Sequence, residues 1–162
     1  MKKPAFTLVE LLISLTITAL VLVAAGVAFD ASIMNYQVNK DRSDAFIKAN
    51  QALMRITADL RCADAVVASE PNSQCTMITA AGYDVTYRFQ ADEEKIYLDN
   101  NDTSESYVLC GNISSASFDR ITFINDNNDL DVNNVEITLT VGVGSFTQKA
   151  CTSVTVRQSL NF

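Results

Sequence analysis

Residues Phe6 to Phe29 read FTLVELLISLTITALVLVAAGVAF, a run of 24 residues with a single charge, Glu10, at its fifth position. A helix rises about 1.5 Å per residue, so this run would be roughly 36 Å long. That exceeds the roughly 30 Å hydrocarbon core of a bilayer and predicts a membrane-spanning helix. The carboxylate is the anomaly. A charged side chain within such a segment costs at least ~2.5 kcal/mol and is a functional residue by default. Before the run stands a short leader, Met1-Lys2-Lys3-Pro4-Ala5. Its lysines predict that the amino terminus stays on the cytoplasmic side while the rest crosses.

The leader and the residues after it, Phe6-Thr7-Leu8-Val9-Glu10-Leu11-Leu12-Ile13, resemble the prepilin signal of type IV pilins and type II secretion pseudopilins. The resemblance implies that a prepilin peptidase cuts between Ala5 and Phe6 and methylates the new amine of Phe6. It also implies a role for Glu10 in assembly. The family usually has Gly where Ala5 stands. Ala is small enough that cleavage is still expected, at a slower rate.

After such a cut, Phe6 would carry an ammonium in an apolar setting. Neither that group nor the Glu10 carboxylate is stable alone in lipid. Contact between Glu10 of one subunit and the Phe6 amine of the next compensates both, and head-to-tail contacts of that kind propagate as an open helical filament. The competing reading is an ordinary anchor whose Glu10 reaches back to the interface. The protein would then be a non-polymerising, membrane-anchored extracytoplasmic binding module.

The 162 residues suffice for one modest domain beyond the anchor. The expected organisation is a leader at 1–5, a transmembrane or filament-core helix at 6–29, and a globular domain at 30–162 that includes the second half of the helix. With Lys2 and Lys3 removed, ten basic residues face nineteen acidic ones, a net charge of −9. That balance argues against nucleic acid as a partner. Four cysteines, Cys62, Cys75, Cys110 and Cys151, lie beyond the membrane. An even count in an oxidising compartment suggests two disulfides. Of the three pairings, Cys62–Cys75 and Cys110–Cys151 are favoured, the first as a staple from the helix end to the following strand.

No Pro or Gly intervenes between Asp30 and Pro71. Phe46, Ala49, Leu53, Ile56 and Leu60 recur at steps of three and four, one face of a helix. The spacing predicts a single helix over 6–61, with a break near Gly26 or Asn39-Lys40-Asp41 as the alternative. Many major pilins carry a Pro at the position Val27 holds here, so the chain leans toward a minor pilin or pseudopilin. Short β-runs follow. Tyr83, Val85, Tyr87 and Phe89 alternate with polar residues, as do Val135, Ile137, Leu139 and Val141. The fold class expected is α+β, a long N-terminal helix packed on one antiparallel, meandering sheet. The phrases Ala58-Asp59-Leu60-Arg61, Val85-Thr86-Tyr87-Arg88-Phe89, Val135–Leu139 and Ser153–Arg157 are similar to those of J-type minor pseudopilins and W-type minor pilins.

Without a histidine the chain has no Ser–His or Cys–His pair, and its carboxylates are scattered as on a solvated surface. The expectation is a structural protein, not an enzyme, with no cofactor. One acidic run, Asn125 to Asn134, invites a closer look. Asp129, Asp131 and Asn133 have the D-x-D-x-N spacing of a calcium loop, but Asn134 stands at the Gly position and Thr140 at that of the terminal Glu. A turn or partner-facing loop is preferred there, with calcium as the alternative. The partners implied are the prepilin peptidase, other pilin or pseudopilin subunits and an inner-membrane assembly platform. The location implied is the bacterial inner membrane and then a pilus or pseudopilus.

Overall fold

The absence of Pro and the scarcity of Gly between residues 5 and 70 are realised as one unbroken helix. The computed structural model describes residues 7–124, 130–144 and 146–156. Helix α1 spans Leu8–Arg61 and passes through Gly26 and Asn39-Lys40-Asp41 without interruption. A lone Gly costs about 1 kcal/mol relative to Ala, too little by itself to end so long a helix. By its contacts the chain divides into two units, Met1–Asp41 and Arg42–Phe162.

In the first unit the helix is exposed throughout its described length, including Leu11, Leu12, Ile13, Leu20 and Val21. In the second unit the same helix carries a buried stripe of Ala45, Ala49, Ala52, Leu53, Ile56 and Leu60. Three of the six are alanines, which let the helix axis approach the sheet closely. Phe46, expected in the stripe, is half-buried at its border.

The strands form two antiparallel sheets rather than one. Strands β1 (Ala65–Val66), β2 (Gln74–Ile78), β3 (Asp84–Gln90), β4 (Lys95–Asn100) and β5 (Glu105–Gly111) make a five-stranded meander in chain order. Strands β6 (Ile113–Ile124), β7 (Leu130–Val143) and β8 (Phe146–Thr155) make a three-stranded one. The division falls at Asn112, whose φ of 61° is left-handed. Asn tolerates that conformation better than most residues, so β6 leaves β5 instead of pairing with it. The Ile113 N–H donates to the Glu94 carbonyl and the Gly142 N–H to the Asn112 carbonyl, fixing the new direction.

The core gathers one face of each sheet and the helix stripe. Its fully buried members include Tyr87, Met77 and Ile96 of the first sheet, Phe118, Val135, Ile137, Leu139 and Val154 of the second, and Ile56 and Leu60. The Tyr87 hydroxyl donates to the Asp59 carboxylate, which ties the end of α1 to β3. Burial, with the Asp59 carboxylate beside it, pushes the Tyr87 phenol well above its ordinary value. Thr86, expected to face solvent, is buried because its hydroxyl meets that of Thr76 at 2.8 Å and accepts from Asn101 Nδ2 at 3.0 Å. The Arg42 guanidinium lies 5.1 Å from the centre of the Phe146 ring at the start of β8, a cation–π contact.

Candidate functional site: the first turn of the long helix

Thr7 precedes α1 and Glu10 lies in its first turn. The Thr7 N–H and the Thr7 hydroxyl both donate to Glu10 Oε2, each at 3.0 Å. The Glu10 N–H in turn reaches Thr7 Oγ1 at 3.3 Å. This reciprocal arrangement is a capping box, in which two side chains satisfy amide donors that the helix start leaves open. A carboxylate at this end also meets the positive pole of the helix dipole. The signal was present in Thr7-Leu8-Val9-Glu10, the T-x-x-E spacing, but reading Glu10 purely as a charge in lipid passes over it. Ala5 and Phe6, the expected cleavage and methylation positions, lie outside the described residues.

The other polar side chains of the 6–29 run bond to the helix itself. Ser14 Oγ donates to the Leu11 carbonyl at 2.9 Å, Thr16 Oγ1 to Ile13 at 2.8 Å and Thr18 Oγ1 to Ser14 at 2.7 Å. Lipid supplies no hydrogen-bond partners, so a spanning segment must satisfy its polar groups internally. These hydroxyls do. The helix is long and apolar enough, by length and composition, to cross a membrane.

Residues 1–26 match the family model for the prokaryotic N-terminal methylation motif. The chain carries a prepilin-type N-terminal methylation motif. No curated protein matches the chain. Within the prepilin motif Thr7 and Glu10 are the bonded pair, and the motif ends at Gly26, short of the globular unit. Such a motif implies processing by a prepilin peptidase and assembly with other pilins. An α+β fold with a long N-terminal helix on antiparallel sheets accords with it.

The remaining candidate residues fall elsewhere and are not brought together. Cys75 and Cys110 are buried, Cys62 and Cys151 are exposed, and the four thiols are separate. The two favoured bridges stay an expectation. Each of the favoured pairings, Cys62–Cys75 and Cys110–Cys151, would join a buried cysteine to an exposed one. Burial pushes the Cys75 thiol up to about 11, although Arg120 beside it pulls the other way. Burial likewise raises Cys110 to about 11.

The expected acidic loop over 125–134 is shorter, because β7 begins at Leu130. Asp131 pairs with Phe123 across the ladder, and the Asn133 carbonyl accepts from the Val156 N–H at 3.0 Å. A cation loop must curl so that its oxygens converge, whereas these two residues belong to an extended strand. Asp129 lies outside the described residues. Among the described residues no three acidic or cysteine side chains are grouped to hold a metal ion.

Proposed function

We propose that the chain is a minor pilin or pseudopilin subunit whose work is structural. The observation that carries this reading is the prepilin motif on a helix whose stretch from Leu8 to Phe29 is predominantly apolar, exposed, and marked by one carboxylate in its first turn. In this reading the leader is cut between Ala5 and Phe6, and the Phe6 amine is methylated. The subunit waits in the inner membrane with its amino terminus cytoplasmic and its globular unit outside. An assembly platform then passes it into a filament. Both Thr7 bonds go to Oε2 of Glu10, and in this reading Oε1 accepts from the amine of a neighbouring subunit. Assembly adds a charge partner without dismantling the helix cap.

Within this class a minor subunit is favoured over a major one, since α1 runs straight through Val27 with no Pro to bend it. The short phrases shared with J-type pseudopilins and W-type minor pilins support the same choice. Both a type II secretion pseudopilus and a type IV pilus would use such a subunit. The net acidic charge favours a protein contact over a DNA contact in either setting.

The deciding measurement is the intact mass of the protein purified from host membranes. A chain that starts at Phe6 and is heavier by one methyl group is expected. A chain that still starts at Met1 would overturn the reading and make the protein a membrane-anchored module outside any filament.

A further inference from the structure

Helix α1 covers the five-stranded sheet unevenly. One cross-strand row on the sheet's core face runs Cys75, Tyr87, Leu98, Tyr107 from β2 to β5. Cys75 and Tyr87 are fully buried, Leu98 is half-buried, and Tyr107 is 53 % exposed. The core face therefore continues beyond the helix toward β5. At that end it opens into a cleft of about 440 Å³, with Arg55 and Asp59 on its helix wall and Tyr83, Leu98, Tyr107 and Val108 among its lining.

Among the described residues strand β5 is the last strand of this sheet and pairs with β4 alone. Its outer backbone groups are thus available to another strand. Natural sheets usually blunt such an edge with charges, Pro or bulges. Here Glu105 stands at the start, and Leu109 is bulged between the pairs Ile96–Cys110 and Tyr97–Val108. Between them Ser106-Tyr107-Val108 carries no charge and no Pro, and Tyr107 and Val108 are both more than half exposed. Strand addition needs an open edge for main-chain bonds and adjoining pockets for alternate side chains. Edge and cleft adjoin each other here. The surroundings are acidic: Asp59 on the helix wall, and Asp102 and Glu105 at the turn into β5, outnumber Arg55.

From the open edge, the adjoining cleft and this charge we propose that β5 accepts an extended segment of a partner protein as a sixth strand. Apolar side chains of that segment enter the cleft, and Lys or Arg residues alternate with them. This stands apart from the processing of the amino terminus, and its test runs equally on cleaved or uncleaved chain.

The full chain in detergent micelles is titrated with a labelled peptide of about ten residues alternating Val and Lys. A peptide of the same composition with Val and Lys in separate blocks serves as control. The alternating peptide is expected to bind about tenfold tighter and to slow amide exchange at Ser106 to Leu109 by a similar factor, as added ladder bonds require. Val108→Lys, at an exposed position, is expected to weaken that binding about tenfold through charge repulsion at the edge. Should that variant lose its fold, the exchange result on the unaltered chain decides alone. Equal binding of the two peptides, protection away from β5, or a β5 already protected in a dimer without peptide would each overturn the proposal.

Discussion

Arg120 of β6 is directed into the turn before β2, where its Nη2 donates to the Glu70 carbonyl and its Nη1 lies 3.8 Å from the Glu70 carboxylate. Its Nη1 also donates to the Gln74 carbonyl at 2.8 Å. The two side chains are only 3 % and 12 % exposed. Together they join the two sheets, with the Phe118 N–H donating to the Asn72 carbonyl alongside. Removing one member of a buried pair leaves the other charge uncompensated, at a cost of about 3–5 kcal/mol. Arg120→Ala is therefore expected to lower the denaturation midpoint of the detergent-solubilised chain steeply, followed by circular dichroism. A loss within about 0.5 kcal/mol would mean the two sheets are held by apolar packing alone.

The capping box separates two roles of Glu10. Glu10→Gln keeps an acceptor for Thr7 and removes the charge, while Thr7→Val keeps the charge and removes the hydroxyl. If charge compensation drives assembly, Gln impairs filament incorporation and Val does so far less, since a lost cap costs only about 1 kcal/mol. Cross-linking of subunits in host membranes reads both. Normal incorporation of the Gln variant would reduce Glu10 to a helix cap.

Alkaline pH should weaken the globular unit. Cys75 and Cys110 are held near 11 in the folded state against an ordinary value of 9.0, and the Tyr87 phenol is also raised. The folded state keeps these protons after the unfolded chain has released them, so stability is complete below about pH 9 and falls as pH rises toward 11. Unfolding midpoints measured across that window should decline. A Cys75→Ala/Cys110→Ala double variant should flatten the decline below pH 10, leaving the share due to Tyr87.

Thiol labelling gives an independent view of the same geometry. Iodoacetamide added to the native, non-reduced protein should modify Cys62 and Cys151 and spare Cys75 and Cys110 until denaturant is added. Peptide mapping checks this. Native protein that takes no label at Cys62 and Cys151 would mean those sulfurs are bridged in the cell.

Tyr87→Phe deletes the hydroxyl that reaches Asp59 and leaves the ring in place. Hydrogen bonds to charged groups contribute about 1.5–3 kcal/mol. The loss should appear as a lower midpoint without a change in the slope against denaturant, because the packing is kept.

The parts of this fold that were readable are those with a strong apolar period. The helix stripe at Ala49, Leu53, Ile56 and Leu60, and the alternation of Val135, Ile137, Leu139 and Val141, are buried as their spacing demands. Ala45 and Ala52 escaped because a methyl group contributes little to a hydrophobic pattern. Arg120 escaped for the opposite reason. A guanidinium on a strand reads as solvent-facing, and it takes Glu70, Asn72 and Gln74, some fifty residues earlier, to make its burial tolerable. The division into two sheets rests on a single left-handed residue, Asn112, whose conformation no periodicity announces. The prepilin motif is legible in the sequence, while the cap within it shares its residues Thr7 and Glu10 with that motif and so is masked by it.

The self-bonded hydroxyls of Ser14, Thr16 and Thr18 bear on more than insertion. With those groups turned back onto their own carbonyls, this length of helix offers its surroundings little besides hydrocarbon. Fatty acyl chains and the apolar flank of another protein are then nearly equivalent neighbours, and a segment exchanging one for the other gives up no hydrogen bond. Among the described residues of the run, Glu10 is the one charged side chain, and so the one that can tell the two apart.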